Sequence, residues 1–99
     1  MANNVVQTIL DRLEIEDTGR YENHFYIIDL ENSDEYAKMY SKLTKNAINV
    51  EYPTFGTNTN DSTVKITNYF EIDENNITYR LFLIANFDED TYYLKLGGL

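Results

Sequence analysis

The sequence predicts an α+β fold: an antiparallel sheet of four to five strands, closing in a three-strand β-meander, with two helices packed mainly on one face. Three observations predict it. Val64 to Leu96 falls into three apolar, β-favouring runs cut by two short polar loops, Asp73-Glu74-Asn75-Asn76 and Asp88-Glu89-Asp90. Two upstream stretches carry apolar residues at helical spacing. Two further short runs, Phe25 to Leu30 and Ile48 to Tyr52, read as strands between and after those helices. Helices and strands of this kind, with the strands gathered late in the chain, give an α+β layer arrangement.

The first helix is expected to be capped by Asn3 or Asn4. Val6, Ile9, Leu10 and Leu13 follow at i, i+3, i+4 and i+7, a one-sided apolar stripe. Thr18-Gly19 is read as its end, glycine being the usual residue just past a helix. On that reading Glu14, Glu16 and Asp17 sit near a helix C-terminus and oppose its dipole by roughly 0.3–1 kcal/mol each, so they look placed for something other than helix stability. Phe25-Tyr26-Ile27-Ile28-Asp29-Leu30 is nearly continuous in apolar character, which suits a central strand. Asn32 and Glu35 form a capping arrangement for the second helix. That helix is expected to reach about Lys45, burying Tyr36, Met39, Tyr40 and Leu43, with Lys38, Lys42 and Lys45 on another face. Ile48, Val50 and Tyr52 alternate and are stopped by Pro53. Thr54 to Thr63 reads as a loop with Phe55 as its one large apolar group.

The meander's register follows from its pattern. A four-residue loop at Asp73 to Asn76 pairs Ile72 with Ile77, Phe70 with Tyr79 and Ile66 with Leu83. A turn centred on Glu89-Asp90 pairs Phe87 with Tyr92, Ala85 with Leu94 and Leu83 with Leu96. All fall on one face, and a one-residue slip would mix them with Thr and Lys. Asn68 lies on that face and needs a hydrogen-bond partner if buried. The other face carries Tyr69, Phe82, Ile84 and Tyr93 beside Lys65, Arg80 and Lys95. Left uncovered, it is an aromatic patch of the kind that marks a partner site, and two copies could bury it as a homodimer.

At 99 residues the chain is read as a single domain, residues 1–99. With no Cys there is no disulfide framework and no thiolate zinc site, and the single His24 excludes a His/Cys metal cluster. No run approaches the roughly 20 apolar residues of a membrane span, and the N-terminus has no basic segment of a signal peptide. The expected compartment is therefore cytoplasmic. The sequons at Asn60 and Asn76 have no meaning there. No nucleophile elbow surrounds Ser33, Ser41 or Ser62, and glycine is too scarce for a phosphate loop. The acidic turns lack the spacing of an EF-hand. No catalysis, cofactor or metal is expected.

The charge is the compositional oddity: 17 acidic against 8 basic residues, net −9. That lies just beyond the magnitude of about 2–8 usual for a small soluble domain. It repels nucleic acid and membranes and attracts basic partners. The acids cluster at Asp11 to Asp17, Asp29 to Glu35, Glu71 to Glu74 and Asp88 to Asp90.

Small size, acidity, missing motifs and an abundance of Asn, Tyr, Ile and Asp, whose codons are AT-rich, make the chain resemble small phage-encoded anti-defence proteins, in particular anti-CRISPR proteins that act as DNA mimics. The resemblance spans the whole chain without an aligned motif, and such proteins share no common fold. It implies a non-catalytic inhibitor of a CRISPR effector nuclease in the host cytoplasm, with no direct binding to DNA. Its carboxylates would enter the partner's basic groove. Residues on turns and helix ends can protrude that way: Asp11, Glu14, Glu16 and Asp17; Glu71, Asp73 and Glu74; Asp88, Glu89 and Asp90. The eight basic residues, three in the Lys row, depart from the most acidic mimics and leave room for contacts to a guide RNA or an acidic surface. Two other functions fit the same composition. One is an immunity or antitoxin protein that neutralises a basic toxin. The other is a small structural or assembly subunit.

Overall fold

The computed structural model describes residues 4–57 and 63–97. In chain order these form α1 (Asn4–Arg12), β1 (Arg20–Glu22), β2 (Phe25–Leu30), α2 (Ser33–Asn46), β3 (Asn49–Val50), β4 (Thr54–Thr57), β5 (Val64–Glu74), β6 (Ile77–Asn86) and β7 (Thr91–Gly97). Among the described residues the strands make one antiparallel sheet of seven, ordered β1-β2-β7-β6-β5-β3, with β4 also on β5. The C-terminal meander is β5-β6-β7. Two strands go beyond the four or five expected. β1 is a charged three-residue edge, and β4 occupies the start of the stretch read as a loop, pairing Phe55 with Ile66. The rest of that stretch, 58–62, lies outside the described residues, as does Asn3.

Both helices lie on the same face of the sheet. The apolar stripe of α1 (Val6, Ile9 and Leu10, joined by Leu13 just beyond it) and Met39 and Leu43 of α2 pack with Phe70, Ile72, Leu81, Leu83, Leu94 and Leu96 in one core. Tyr26 and Ile28 extend that core on β2, because Tyr26 stands opposite Leu96 and Ile28 opposite Leu94. Tyr40, expected on the buried side, is 39% exposed and rests edge-on against Phe70 at the core's margin. Asn68 is the one buried polar side chain among the described residues. Its amide donates to the Tyr36 hydroxyl at 2.6 Å and to the Leu83 carbonyl at 3.4 Å, which satisfies it.

The two meander turns differ from the expected ones in opposite senses. Asn75 and Asn76 both adopt positive φ, 53° and 65°, the geometry of a two-residue hairpin turn that Asn tolerates. Ile72 therefore faces Tyr79 and Phe70 faces Leu81. The second connection is longer than expected, so Leu83 faces Leu94 and Phe87 leaves the ladder. Each register moves by two residues, and a two-residue shift leaves every side chain on its original face. Asn23 and His24 make a third tight turn, at φ 50° and 70°, so His24 occupies a turn position between β1 and β2.

α1 ends earlier than Thr18-Gly19. Ile15 N–H donates to the Leu10 carbonyl and Glu14 N–H to the Asp11 carbonyl, both at 3.1 Å, with Glu14 at φ 57°. This is the closing pattern usually built on glycine. Glu14, Glu16 and Asp17 thus lie in the segment after the helix. Gly19 instead permits a close approach of backbone to strand. A Cβ there would stand 2.5 Å from the Tyr26 ring and 2.7 Å from the Ile27 carbonyl oxygen. The chain runs tightly over β2, and the Asp17 carboxylate accepts from the Tyr26 hydroxyl and, at 3.2 Å, from the Gly19 N–H.

This arrangement makes stability depend on alkaline pH. Burial pushes the Tyr26 hydroxyl up from 10.0 to about 12, and the adjacent Asp17 carboxylate adds to the shift. The unfolded chain loses this proton near pH 10 and the folded chain near 12. The contribution is therefore complete below pH 10 and is lost as pH rises through the interval to about 12. Thermal melts from pH 9 to 12 should show Tm falling across that window, and falling less steeply in Tyr26→Phe, which has no proton to lose. Equal slopes would contradict the assignment.

Candidate partner-binding surfaces

The acidic residues lie toward both ends of β6, and carboxylates at each end have partners: at the β6–β7 end Asp88 accepts from the Val64 N–H at 3.4 Å and Glu35 pairs with Lys38 at 3.6 Å. At the β5–β6 turn the carboxylates are compensated. Glu74 pairs with Arg12 at 3.2 Å, and the same guanidinium donates to the Asp73 carbonyl at 2.7 Å. The Asp73 carboxylate accepts from the Thr78 hydroxyl at 2.6 Å. Glu71 accepts from Asn49 at 2.8 Å and from the Tyr69 hydroxyl at 3.1 Å. Asp11 accepts from Gln7 at 2.9 Å, one turn back in α1, and Asp17 is fastened inward to Tyr26 and Gly19.

At the other end two runs meet. The buried Tyr92 hydroxyl is pushed up mainly by burial and then by Asp90, and it also bonds Ser33, so the β6–β7 turn meets the start of α2. Asp88, Glu89 and Asp90 are all exposed there. Along β2 an open hollow of about 340 Å³ has Ile28, Leu30 and Met39 among its lining, with Glu14, Glu16, Glu31 and Glu35 around it. Lys42, the one cation in that lining, donates to the Glu14 carbonyl at 3.0 Å. Asp29 also borders the hollow, but its carboxylate pairs with Arg20 at 2.7 Å. Sequence reasoning recognised Asp29 to Glu35 as acidic without placing Glu31, Asp34 and Glu35 in the site. Only the tertiary fold brings them to Asp88, Glu89 and Asp90. Among the described residues no three His, Asp or Glu side chains gather closely enough to hold a metal ion, and no helix is long and apolar enough to cross a membrane.

The second surface is the sheet face opposite the helices, which no described helix covers. Its residues fall in rows across the strands. One row reads Arg20, Ile27, Lys95, Phe82, Tyr69 and, through the Glu51 N–H to Tyr69 carbonyl bond of 3.2 Å, Glu51. The next reads Glu22, Phe25, Gly97, Arg80, Glu71 and Asn49. On the other side lie Asp29, Tyr93, Ile84 and Thr67. Phe82 sits 6.2 Å from Phe25 and 5.2 Å from Tyr69, centroid to centroid. The Lys95 ammonium lies 4.1 Å above Phe25, and Lys65 lies 5.6 Å above Tyr93. Cations laid on ring faces shield apolar surface while keeping their charge in water; Ile84, between Thr67 and Tyr93, is only 5% exposed without a described helix above it. Against this geometry, no protein-family model, no curated protein and no solved structure matches the chain.

Proposed function

We propose that this chain is a non-catalytic protein inhibitor that sets its acidic end into the basic groove of a nucleic-acid-handling protein, a CRISPR effector nuclease foremost. The observation that carries the reading is a chain of acidic runs along one side of the fold: Asp88 to Asp90 meets the start of α2 through Tyr92 and Ser33, and Glu31 and Glu35 share an open hollow with Glu14 and Glu16. Double-stranded DNA carries one phosphate charge per ~1.7 Å of axis, and its binding proteins line a groove with Arg and Lys. Carboxylates held in that groove make charge-assisted hydrogen bonds with the same side chains. A net charge of −9 keeps the protein itself off DNA.

The test uses Glu16→Lys, Glu31→Lys, Asp88→Lys and Glu89→Lys together, which draws on all three runs and leaves the core alone. Inhibition of target cleavage by a panel of purified CRISPR effector nucleases should be abolished, with the thermal melt within a few degrees of the parent. Wild-type binding should be displaced by double-stranded DNA and weaken as salt rises from 50 to 200 mM. Inhibition that survives the fourfold reversal would sink the proposal. Wild-type inhibition confined to a basic nuclease toxin would assign the same acidic end to an immunity protein.

A further inference from the structure

We infer that the uncovered sheet face is the interface of a two-fold symmetric dimer, the occupant being a second copy of this chain packed sheet to sheet. Charge balance is the first argument. Arg20, Lys65, Arg80 and Lys95 offset all but one of the carboxylates on the same face, so it is close to neutral in a chain of net charge −9. Two copies therefore repel least here. A near-neutral face also has little pull on a nucleic acid or an acidic segment.

The second argument is self-complementarity. The strand order β1-β2-β7-β6-β5-β3 has its centre between β7 and β6. A two-fold axis running along the strands at that line sets β7 over the partner's β6, β2 over its β5, and β1 over its β3. Contacts across such an axis are reciprocal. Within the rows above, Lys95 then faces a second Phe82, Ile27 a second Tyr69, Tyr93 a second Ile84, and Arg20 a second Glu51. These four are a cation on a ring, apolar pairs or an opposite-charge pair; in the neighbouring rows the same axis sets Arg80 over the partner's Gly97, Asp29 over its Thr67 and Phe25 over its Glu71, so the complementarity is concentrated in the row through Phe82 and at Tyr93. The open hollow of about 380 Å³ that Phe25, Ile27, Tyr93 and Lys95 help to line receives the Phe82–Tyr69 ridge of the other copy.

Area is the third argument. The sixteen positions of the three rows, each ~4.8 Å by ~6.8 Å, present about 500 Å², the scale of an interface at the weak end, below the ~800 Å² per partner of a standard one. Sheets packed face to face keep their strands within about 30° of each other, so the pairings hold best near the axis. At the margin Glu51 reaches across to an Arg20 that also holds Asp29 at 2.7 Å and Glu22 at 3.2 Å within its own chain. The same axis stands the two acidic ends side by side, and their repulsion is screened beyond about 8 Å at physiological salt.

Sedimentation velocity from 1 to 200 µM in 0.15 M salt tests this with the full chain. The wild type should shift from one to two copies of the 11.6 kDa chain within that range. Arg20→Glu and Glu51→Arg change exposed positions and should each weaken the dimer at least tenfold, while the double exchange restores it to within about threefold. Circular dichroism melts confirm that all three variants fold. A monomer at 200 µM overturns the inference, as does a dimer that neither single variant weakens. Saturable uptake of a labelled single-stranded 20-nucleotide RNA, lost in Lys95→Glu, would also overturn it and assign the face to nucleic acid.

Discussion

Leu83→Ala should destabilise the protein by about 2–5 kcal/mol in a denaturant melt. Leu83 sits on β6 between Asn68 of β5 and Leu94 of β7 and is fully buried. Truncation removes its transfer free energy and leaves a cavity flanked by two strands that cannot collapse without breaking their ladders. The cavity also opens beside the Asn68 amide, which bonds the Leu83 carbonyl and the Tyr36 hydroxyl, so the one buried polar group in the described core loses its tight surroundings. A domain's total stability is about 5–15 kcal/mol, which makes this a large share of it. A loss under about half a kcal/mol would show that the sheet centre is not the keystone of the core.

Gly19→Ala should cost about 1–3 kcal/mol, the range for forcing extra atoms into a close-packed site. The added methyl meets the Ile27 carbonyl oxygen at 2.7 Å and the Ile28 side chain at 2.8 Å. The first is backbone in a paired strand, so β2 cannot move aside without loosening its bonds to β7. The chain entering β1 must lift instead, which pulls Asp17 from Tyr26. Hydrogen exchange should therefore quicken first at Arg20, Tyr21 and Glu22, and the alkaline fall in Tm should flatten towards that of Tyr26→Phe. An unchanged melt would mean the loop relaxes freely and the close approach has no structural role.

Much of this fold was legible because apolar alternation reports faces. The partition of the meander into a core face and an aromatic face survived two register shifts, since each was by two residues. The shifts themselves were not legible. Asp73-Glu74-Asn75-Asn76 reads equally as a four-residue loop or as two strand residues and a two-residue turn, and the choice rests on Asn75 and Asn76 accepting positive φ. β1 was invisible because Arg20-Tyr21-Glu22 is charged, three residues long and held by its partner rather than by its own pattern. β4 was missed for a similar reason: Thr54-Phe55-Gly56-Thr57 has one large apolar residue, and that residue is 68% exposed. The end of α1 went to Gly19 by propensity, whereas Glu14 takes the left-handed position and Gly19 serves a close approach. The acidic runs were plain in the sequence. Which of them meet depended on the β2–β7 pairing, a contact between distant parts of the chain.

That pairing also governs how the molecule assembles. Ile28 stands opposite Leu94, so β2 waits for a strand synthesised some 60 residues later, while β5, β6 and β7 find one another through short turns. Loop-closure entropy favours the local hairpins first. At about 5–20 residues per second on the ribosome, β2 spends several seconds without its neighbour, with Tyr26, Ile27 and Ile28 exposed. The nascent chain's aggregation risk is therefore concentrated in that one waiting strand, and acidic residues before it (Glu16, Asp17 and Glu22), within it (Asp29) and after it (Glu31) act as gatekeepers during synthesis.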